Sequence, residues 1–231
     1  MEDIYQRTEL VIGKDNLDLI CKSNICICGV GGVGSYVLEA LARMGIGRIT
    51  IIDNDNVDMT NINRQLIATT QNVGKSKVEE AKKRVASINP AIQVIAVQDF
   101  IDERNVESYI TKDYDYVIDC IDSVDSKIAI IRTCKNNNVK IISSMGTANR
   151  IEPLKLRVAD ISKTEMCPLA KIVRKKLRQE GIRNVKVVFS REEAIKPSEG
   201  KLGSVSFVPG AAGLIIASEV IRDIMNKEDE Q

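Results

Sequence analysis

The run ICICGVGGVGSYV, residues 25–37, carries the first residues whose type and spacing suggest chemistry. Gly29, Gly31 and Gly34 fit Gly-x-Gly-x-x-Gly between an apolar strand and an apolar-patterned helix. Glycines so spaced let the backbone approach a phosphate, and the helix N-terminus attracts its charge. The loop is not a Walker loop, because Ser35 stands where that motif places lysine. Asp53 closes the next apolar run, nineteen residues after Gly34, where a carboxylate suits the ribose hydroxyls of an adenosine. These features alone suit NAD as well as ATP.

Two further stretches separate those ligands. The polar segment DNDNVDMTNINRQ supplies Asp55, Asn61, Asn63, Arg64 and Gln65, and the GKSK segment adds Lys77. A triphosphate carries more charge to neutralise than a dinucleotide's pyrophosphate, above all when pyrophosphate leaves, and Arg64 and Lys77 would neutralise it. Taken singly, Arg64 reads more readily as a surface ion pair and Lys77 as a solvated helix residue; the run of such residues weakens both readings together. In IDCIDSVDSK, Asp119 and Asp122 follow a buried strand. A carboxylate there could hold magnesium against phosphate oxygens. Asp122 or Ser123 could instead cap the following helix.

The elements that must position these residues alternate. Helices are expected near 3–12 and 15–22, then a strand at 24–29 and a helix at 33–44. A strand at 48–53 leads into the polar loop and a helix over 74–88, which Asn89-Pro90 ends. A strand follows at 92–97, a helix at 102–110, a strand at 114–120, a helix at 125–136 and a strand at 140–144. This alternation predicts an α/β fold, Rossmann-like, with a mostly parallel doubly wound sheet. Residues 151–161 read as an extra strand, 168–181 as a basic helix, and 185–190 as another strand. A polar loop at 191–206 and a helix from Pro209 complete a C-terminal strand/helix extension. No Gly/Ser linker, repeat or low-complexity tract divides the 231 residues, so a single domain is expected, with about 20–145 as its nucleotide-binding core and about 146–231 as the extension.

Composition narrows the chemistry. Apolar residues make up 44%, aromatic ones only 3%, as in an Ile/Val/Leu core under helices. The net charge of +1 argues against a globally basic nucleic-acid binder. No histidine is present, which excludes Ser-His-Asp and Cys-His catalysis and histidine-bound metals. Six cysteines form no Cys-x-x-Cys pair, so neither structural zinc nor disulfides are expected. Without an apolar signal core or a membrane-length run, a soluble cytoplasmic protein is expected.

Together, GVGGVGS, IIDNDNVDMTNINRQ, GKSK and IDCIDS resemble the ThiF-type adenylating superfamily. It includes the ubiquitin-activating enzymes and the activators of the thiamine and molybdopterin sulfur carriers. The resemblance covers roughly residues 20–145 and implies carboxylate adenylation with ATP and magnesium. It puts Gly31 and Gly32 under the phosphates and Asp53 on the ribose. Asn61, Arg64 and Lys77 fall on the polyphosphate and Asp122 on magnesium, with Gly29, Gly34, Asp55 and Gln65 in the same site. It further implies a homodimer in which Arg7, from YQRTELVIG, reaches the neighbour's site. An attacking carboxylate is already ionised near neutral pH, so the lack of histidine fits.

The C-terminal part bears on which carboxylate is activated. SMGTANRIEPLKLRVADISKTEMCPLAKIVRKKLR resembles the branch that acts on tRNA, the threonylcarbamoyladenosine dehydratases. An RNA partner is also suggested by Lys163, Lys171, Arg174, Lys175, Lys176, Arg178, Arg183 and Lys186, opposed only by Glu165 and Glu180. A solvated helix face is the plain alternative, and no interleaved aromatics signal base stacking. Cys167 reads as an incidental thiol at a helix start. The other readings are an adenylyltransferase for a ubiquitin-like sulfur carrier, with a sulfur-transfer protein as partner, a nicotinamide oxidoreductase, and a non-catalytic binding protein on the same fold.

Overall fold

The structure is a computed structural model and describes residues 4–196, 200 and 202–226. Helices α1 (Gln6–Ile12) and α2 (Lys14–Lys22) precede β1 (Asn24–Cys28), α3 (Gly34–Met44) and β2 (Arg48–Ile52). Then come α4 (Lys77–Ile88), β3 (Gln93–Val97), α5 (Val106–Tyr109), β4 (Tyr116–Asp119), α6 (Val124–Asn137) and β5 (Lys140–Ser144). The C-terminal part contributes β6 (Leu156–Asp160), α7 (Pro168–Gln179), β7 (Lys186–Ser190) and α8 (Phe207–Met225).

Seven strands form one sheet in the order β3-β2-β1-β4-β5-β7-β6. All neighbours are parallel except β6, which runs antiparallel to β7. The fold is therefore a doubly wound, Rossmann-like α/β sheet with the expected C-terminal extension. The chain turns outward from β1 to β3, then returns to place β4 on β1's other side. The gap between the carboxyl ends of β1 and β4 is the switch point where open α/β sheets bind ligands.

Alternation along β1 shows how the two layers divide. Ile25 and Ile27 face a cluster with Val37, Leu41, Ala81, Val85, Ile216 and Val220, from α3, α4 and α8. Cys26 and Cys28 face the other layer, with Ile130 and Cys134 of α6 and Val173 and Leu177 of α7. The paired small thiols thus serve as core filler, with their sulfurs 3.9 Å apart. On the first face α3 and α8 pack closely enough to need glycine. A side chain on Gly213 would stand 2.5 Å from the Val33 carbonyl oxygen.

Several boundaries differ from expectation for local reasons. The helix expected over 102–110 shrinks to α5. Asp102 Oδ1 accepts the Arg104 N–H at 2.8 Å and Asn105 Oδ1 accepts the Asp102 N–H at 2.9 Å. These side chains satisfy the backbone in a turn, in competition with a helix. The helix expected from 74 starts at Lys77, because residues 74–77 pair back onto 55–57: Val57 N–H donates to the Lys75 carbonyl and Lys77 N–H to that of Asp55. The first helix begins at Gln6, and its expected start at residue 3 lies outside the described residues. The extra strand contracts to β6. The last helix starts at Phe207, with Pro209 inside its first turn, where a missing N–H costs nothing. Of the polar loop at 191–206, residues 197–199 and 201 lie outside the described residues. Among the described residues no helix is long and apolar enough to cross a membrane.

One ion cluster ties α3 to α4. Glu39 accepts from Arg84 Nε and Nη2, both at 2.8 Å, and meets Arg43 Nη2 at 2.7 Å. Burial raises the Glu39 pKa, but the Arg84 and Arg43 hydrogen bonds outweigh it and leave the carboxyl below its ordinary value. A depressed carboxylate contributes stability above its unfolded-state pKa, and that stability fades as pH falls through the folded one. Urea melts of wild type and Glu39→Gln should therefore differ most at neutral pH and converge below about pH 4. A constant gap across that range would contradict the linkage.

Candidate functional site

The glycine loop is built from close backbone approaches. Gly29 adopts φ +87°, which glycine takes without strain, and its N–H donates to the Ile52 carbonyl at 2.8 Å. A side chain there would meet the Cys120 carbonyl and Ile121, the segment that follows β4. A Cβ on Gly34 would lie 1.8 Å from the Gly29 carbonyl oxygen, so only glycine can open α3 against β1. On Gly32 it would touch Pro209 of α8 and the Arg64 side chain at 3.3–3.5 Å. A Cβ on Gly31 would have only Gln65 Nε2 near it, at 3.7 Å. Gly31 thus has space beside its backbone, Gly32 is closed over by Pro209 and Arg64, and Gly29 and Gly34 hold the loop's shape.

Asp53 stands at the carboxyl end of β2 and is partly committed. Its Oδ2 accepts the Val30 N–H at 2.8 Å and its Oδ1 the Asp55 N–H at 2.9 Å. The carboxylate therefore buttresses the glycine loop, and its remaining lone pairs can still accept from ribose hydroxyls.

The polar loop curls beside it. Asp58 caps a short turn over Met59–Asn61, and the Thr60 hydroxyl bond holds its carboxyl below the usual range. Buried Asn61 closes the turn by accepting the Asp58 N–H. Arg64 Nη1 donates to the Thr60 carbonyl at 2.8 Å and to Asn63 Oδ1 at 3.1 Å. It makes no ion pair among the described residues, so the surface-pair alternative falls away. Asn63, besides accepting from Arg64, donates through Nδ2 to the Ser204 carbonyl. Gln65 is buried, and its Oε1 has no partner among the described residues. Ser35, in the position that excludes a Walker loop, accepts the Leu66 N–H at 3.1 Å and pins this turn to α3. Lys77 is buried, with Nζ 2.7 Å from Asp55 Oδ2. It is not a solvated helix residue. Asp55 serves here as the partner of Lys77.

Asp122 is exposed just beyond β4. It does not cap α6: Ser123 holds the cap position, without a side-chain cap bond. Asp119, at the last position of β4, is buried against Lys127 and Ser143 and is closed to any ligand. Among the described residues no three acidic or cysteine side chains cluster to cage a metal. A single free carboxylate beside a phosphate-shaped loop still fits magnesium, which keeps few protein ligands and takes phosphate oxygens. The pKa of the Cys120 thiol is pushed far above its ordinary value, chiefly by burial, so that thiol is no nucleophile at neutral pH. Cys167 is buried in the α6–α7 layer.

The structure therefore brings Gly29, Gly31, Gly32, Gly34, Asp53, Asn61, Arg64 and Gln65 together, with the Asp55–Lys77 pair and Asp122 on flanking segments. Arg7 is not among them. Two residues before it, Tyr5 packs on Gly45 and accepts a bond from Asn89, at the amino edge of the sheet. A cavity of about 420 Å³ lies to one side, between α6 and α7, lined by Phe100, Ser123, Asp125, Arg132, Lys176 and Glu180. Its charges are paired among the described residues: Lys176 with Asp125, Arg132 with Glu180 and Glu103, and Asp102 with Arg104. Sequence reasoning missed the Ser35 tie, the contact of Pro209 with Gly32, and Lys127. Lys127, a charge inside the apolar run KIAII, was the one visible signal.

The profile of the ThiF family matches residues 5–231. The tRNA threonylcarbamoyladenosine dehydratase of Bacillus subtilis is 43% identical over 239 residues, spanning 96% of this chain and 94% of that protein. The Escherichia coli protein of the same name is 36% identical over 252 residues, spanning 97% and 94%. The crystal structure of an E. coli tRNA N6-threonylcarbamoyladenosine dehydratase in complex with ATP superposes with a TM-score of 0.93 at 37% identity, over 98% of this chain and 96% of that one.

Proposed function

The chain belongs to the ThiF family, and from that premise we propose that it is an ATP-dependent tRNA threonylcarbamoyladenosine dehydratase. The observation that carries the reading is the glycine loop, open at Gly31 and with Arg64 packed on Gly32, flanked by the segments of Lys77 and Asp122, while the Cys120 thiol beside it is held protonated. The threonyl carboxylate of the modified adenosine attacks the α-phosphate of ATP, and pyrophosphate leaves. The resulting acyl-adenylate is attacked by the nucleoside's own carbamoyl nitrogen, a ring closes, and AMP departs. Net loss of one water follows.

The chain's own residues bind and align. Backbone N–H groups of the glycine loop and the N-terminus of α3 receive phosphate oxygens. Arg64 and Lys77 balance the charge that grows on departing pyrophosphate. Lys77 exchanges Asp55 for phosphate, and Asp53 takes the ribose while bracing Val30. Asp122 would hold magnesium, which would supply positive charge to offset that of the phosphates. Alignment of two bound reactants provides the remaining acceleration.

The basic segment supports an RNA partner more narrowly than its sequence does. Arg174 bonds Thr164, Lys176 pairs with Asp125, and Lys186 with Asp223. Lys171, Lys175 and Arg178 remain exposed, and their spacing puts them on one face of α7, with exposed Lys163 and Arg183 beyond its two ends. A homodimer is supported by α1. It buries none of its residues and exposes Leu10 and Val11 at 83% and 84%, and its Arg7 cannot serve its own site from the sheet's amino edge. We place the enzyme in the cytoplasm, with its tRNA. A sulfur-transfer protein remains the partner implied by the alternative, adenylation of a ubiquitin-like carrier's C-terminus.

Incubation with ATP, magnesium and tRNA bearing open threonylcarbamoyladenosine should yield a nucleoside lighter by one water, with AMP, in mass spectrometry of the digest. Arg64→Ala and Asp122→Ala should each lose this while staying folded. Activity only with a carrier protein would transfer the reading to the alternative. Reversing the charges of Lys171, Lys175 and Arg178 should flatten the salt dependence of tRNA binding, by about 0.7–0.9 for each phosphate no longer neutralised. An unchanged slope would return α7 to a solvated face. Arg7→Ala and Asp122→Ala proteins, inactive alone, should recover up to about a quarter of wild-type activity after subunit exchange, since half the dimers regain one intact site. No recovery would remove the role across the dimer.

A further inference from the structure

Lys127, Asp119 and Ser143 form a closed polar cluster that the proposed chemistry does not use. The Lys127 and Asp119 side chains are both 0% exposed, with Nζ 2.9 Å from Asp119 Oδ2. Ser143 Oγ donates to the same oxygen at 2.5 Å, and Lys127 Nζ reaches that hydroxyl at 3.3 Å. The other carboxylate oxygen, Oδ1, accepts the Ile121 N–H at 3.2 Å. One carboxylate thus fastens the tip of β4, the first turn of α6, the end of β5 and the segment leading to Asp122.

Stability does not explain the cluster. Burying two charges carries a heavy desolvation cost, and well-packed apolar replacements of such pairs are often neutral or stabilising. Its place in the fold gives another account. The Cys120 carbonyl and Ile121 are the atoms that a side chain on Gly29 would strike, so the fastened segment forms one wall of the glycine loop. Asp122 follows one residue later. Asp119 fixes the wall from beneath, through the Ile121 N–H, and Lys127 fixes Asp119.

We propose that Asp119, Lys127 and Ser143 are positioning residues that set where Asp122 stands against the glycine loop. This rests on the reading of Asp122 as the carboxylate on the phosphate side. The unit touches no substrate and acts through the 120–122 backbone. Removing it leaves Gly31, Gly32, Arg64 and Lys77 in place, so nucleotide affinity should survive while alignment is lost.

The test uses the full chain with Ser143→Ala, which removes the hydroxyl's two bonds and leaves the Lys127–Asp119 pair intact, and with the double variant Asp119→Asn/Lys127→Met, which removes both charges together. In each, the dissociation constant and KM for ATP should stay within about threefold, while kcat for AMP formation falls roughly 10- to 100-fold, as misplacement near 1 Å does. Amide exchange at Ile121 should quicken in the ATP-free protein, a change that does not depend on activity. Unchanged kcat and unchanged Ile121 protection in Ser143→Ala would overturn the proposal, whether or not the double variant folds. So would ATP binding and kcat falling in parallel. Asp122→Ala separates the two readings. If that variant turns over normally, the reading of Asp122 fails; if it is dead while Ser143→Ala is normal, only the positioning unit fails.

Discussion

The contact between residues 29 and 34 governs this structure. The Gly29 carbonyl oxygen occupies the space in which a side chain at position 34 would begin. That approach brings α3 straight off β1, so the helix's free N–H groups point across the sheet's carboxyl edge. Everything else at this edge is arranged around a loop that cannot be widened. Asp53 braces Val30, the segment after β4 closes on Gly29, and Pro209 and Arg64 close on Gly32.

A loop so constrained suits charge stabilisation better than acid–base work. It presents backbone dipoles that cost no reorganisation when an anion arrives. Near it, Lys77 pairs with Asp55, and Arg64 is held by carbonyl and amide oxygens of its own turn. The chain has no histidine, and the Cys120 thiol beside the loop is kept protonated. Adenylation by a ready-made carboxylate is chemistry that such a site can perform.

Much of this was legible because local spacing encodes it. Gly29, Gly31, Gly34 and Asp53 define a strand–loop–helix–strand unit by type and separation, and the alternation of strands and helices settled the sheet's class. What stayed hidden depends on partners distant in sequence. Asp119 and Asp122 look alike in IDCIDS, yet one is sealed against Lys127 and Ser143 and the other is exposed. The eight cations of the basic segment look equivalent, yet Asp125 and Asp223 from elsewhere engage Lys176 and Lys186, and Thr164 within the segment engages Arg174. The helix expected from 102 failed for a local reason, since Asp102 and Asn105 favour a turn that apolar periodicity does not register.

The C-terminal helix has a consequence for anyone dissecting the chain. Pro209 lies on the glycine loop, Gly210 and Gly213 receive Tyr36 and Val33, and the Tyr116 hydroxyl bonds Asp223. The last helix therefore completes the layer on which the first half's own strands rest. Cutting after β5 would not release a minimal nucleotide binder. It would strip Ile216 and Val220 from the Ile25–Ile27 face and leave a sticky, half-covered sheet. The two halves of the chain share one core layer, and neither covers it alone.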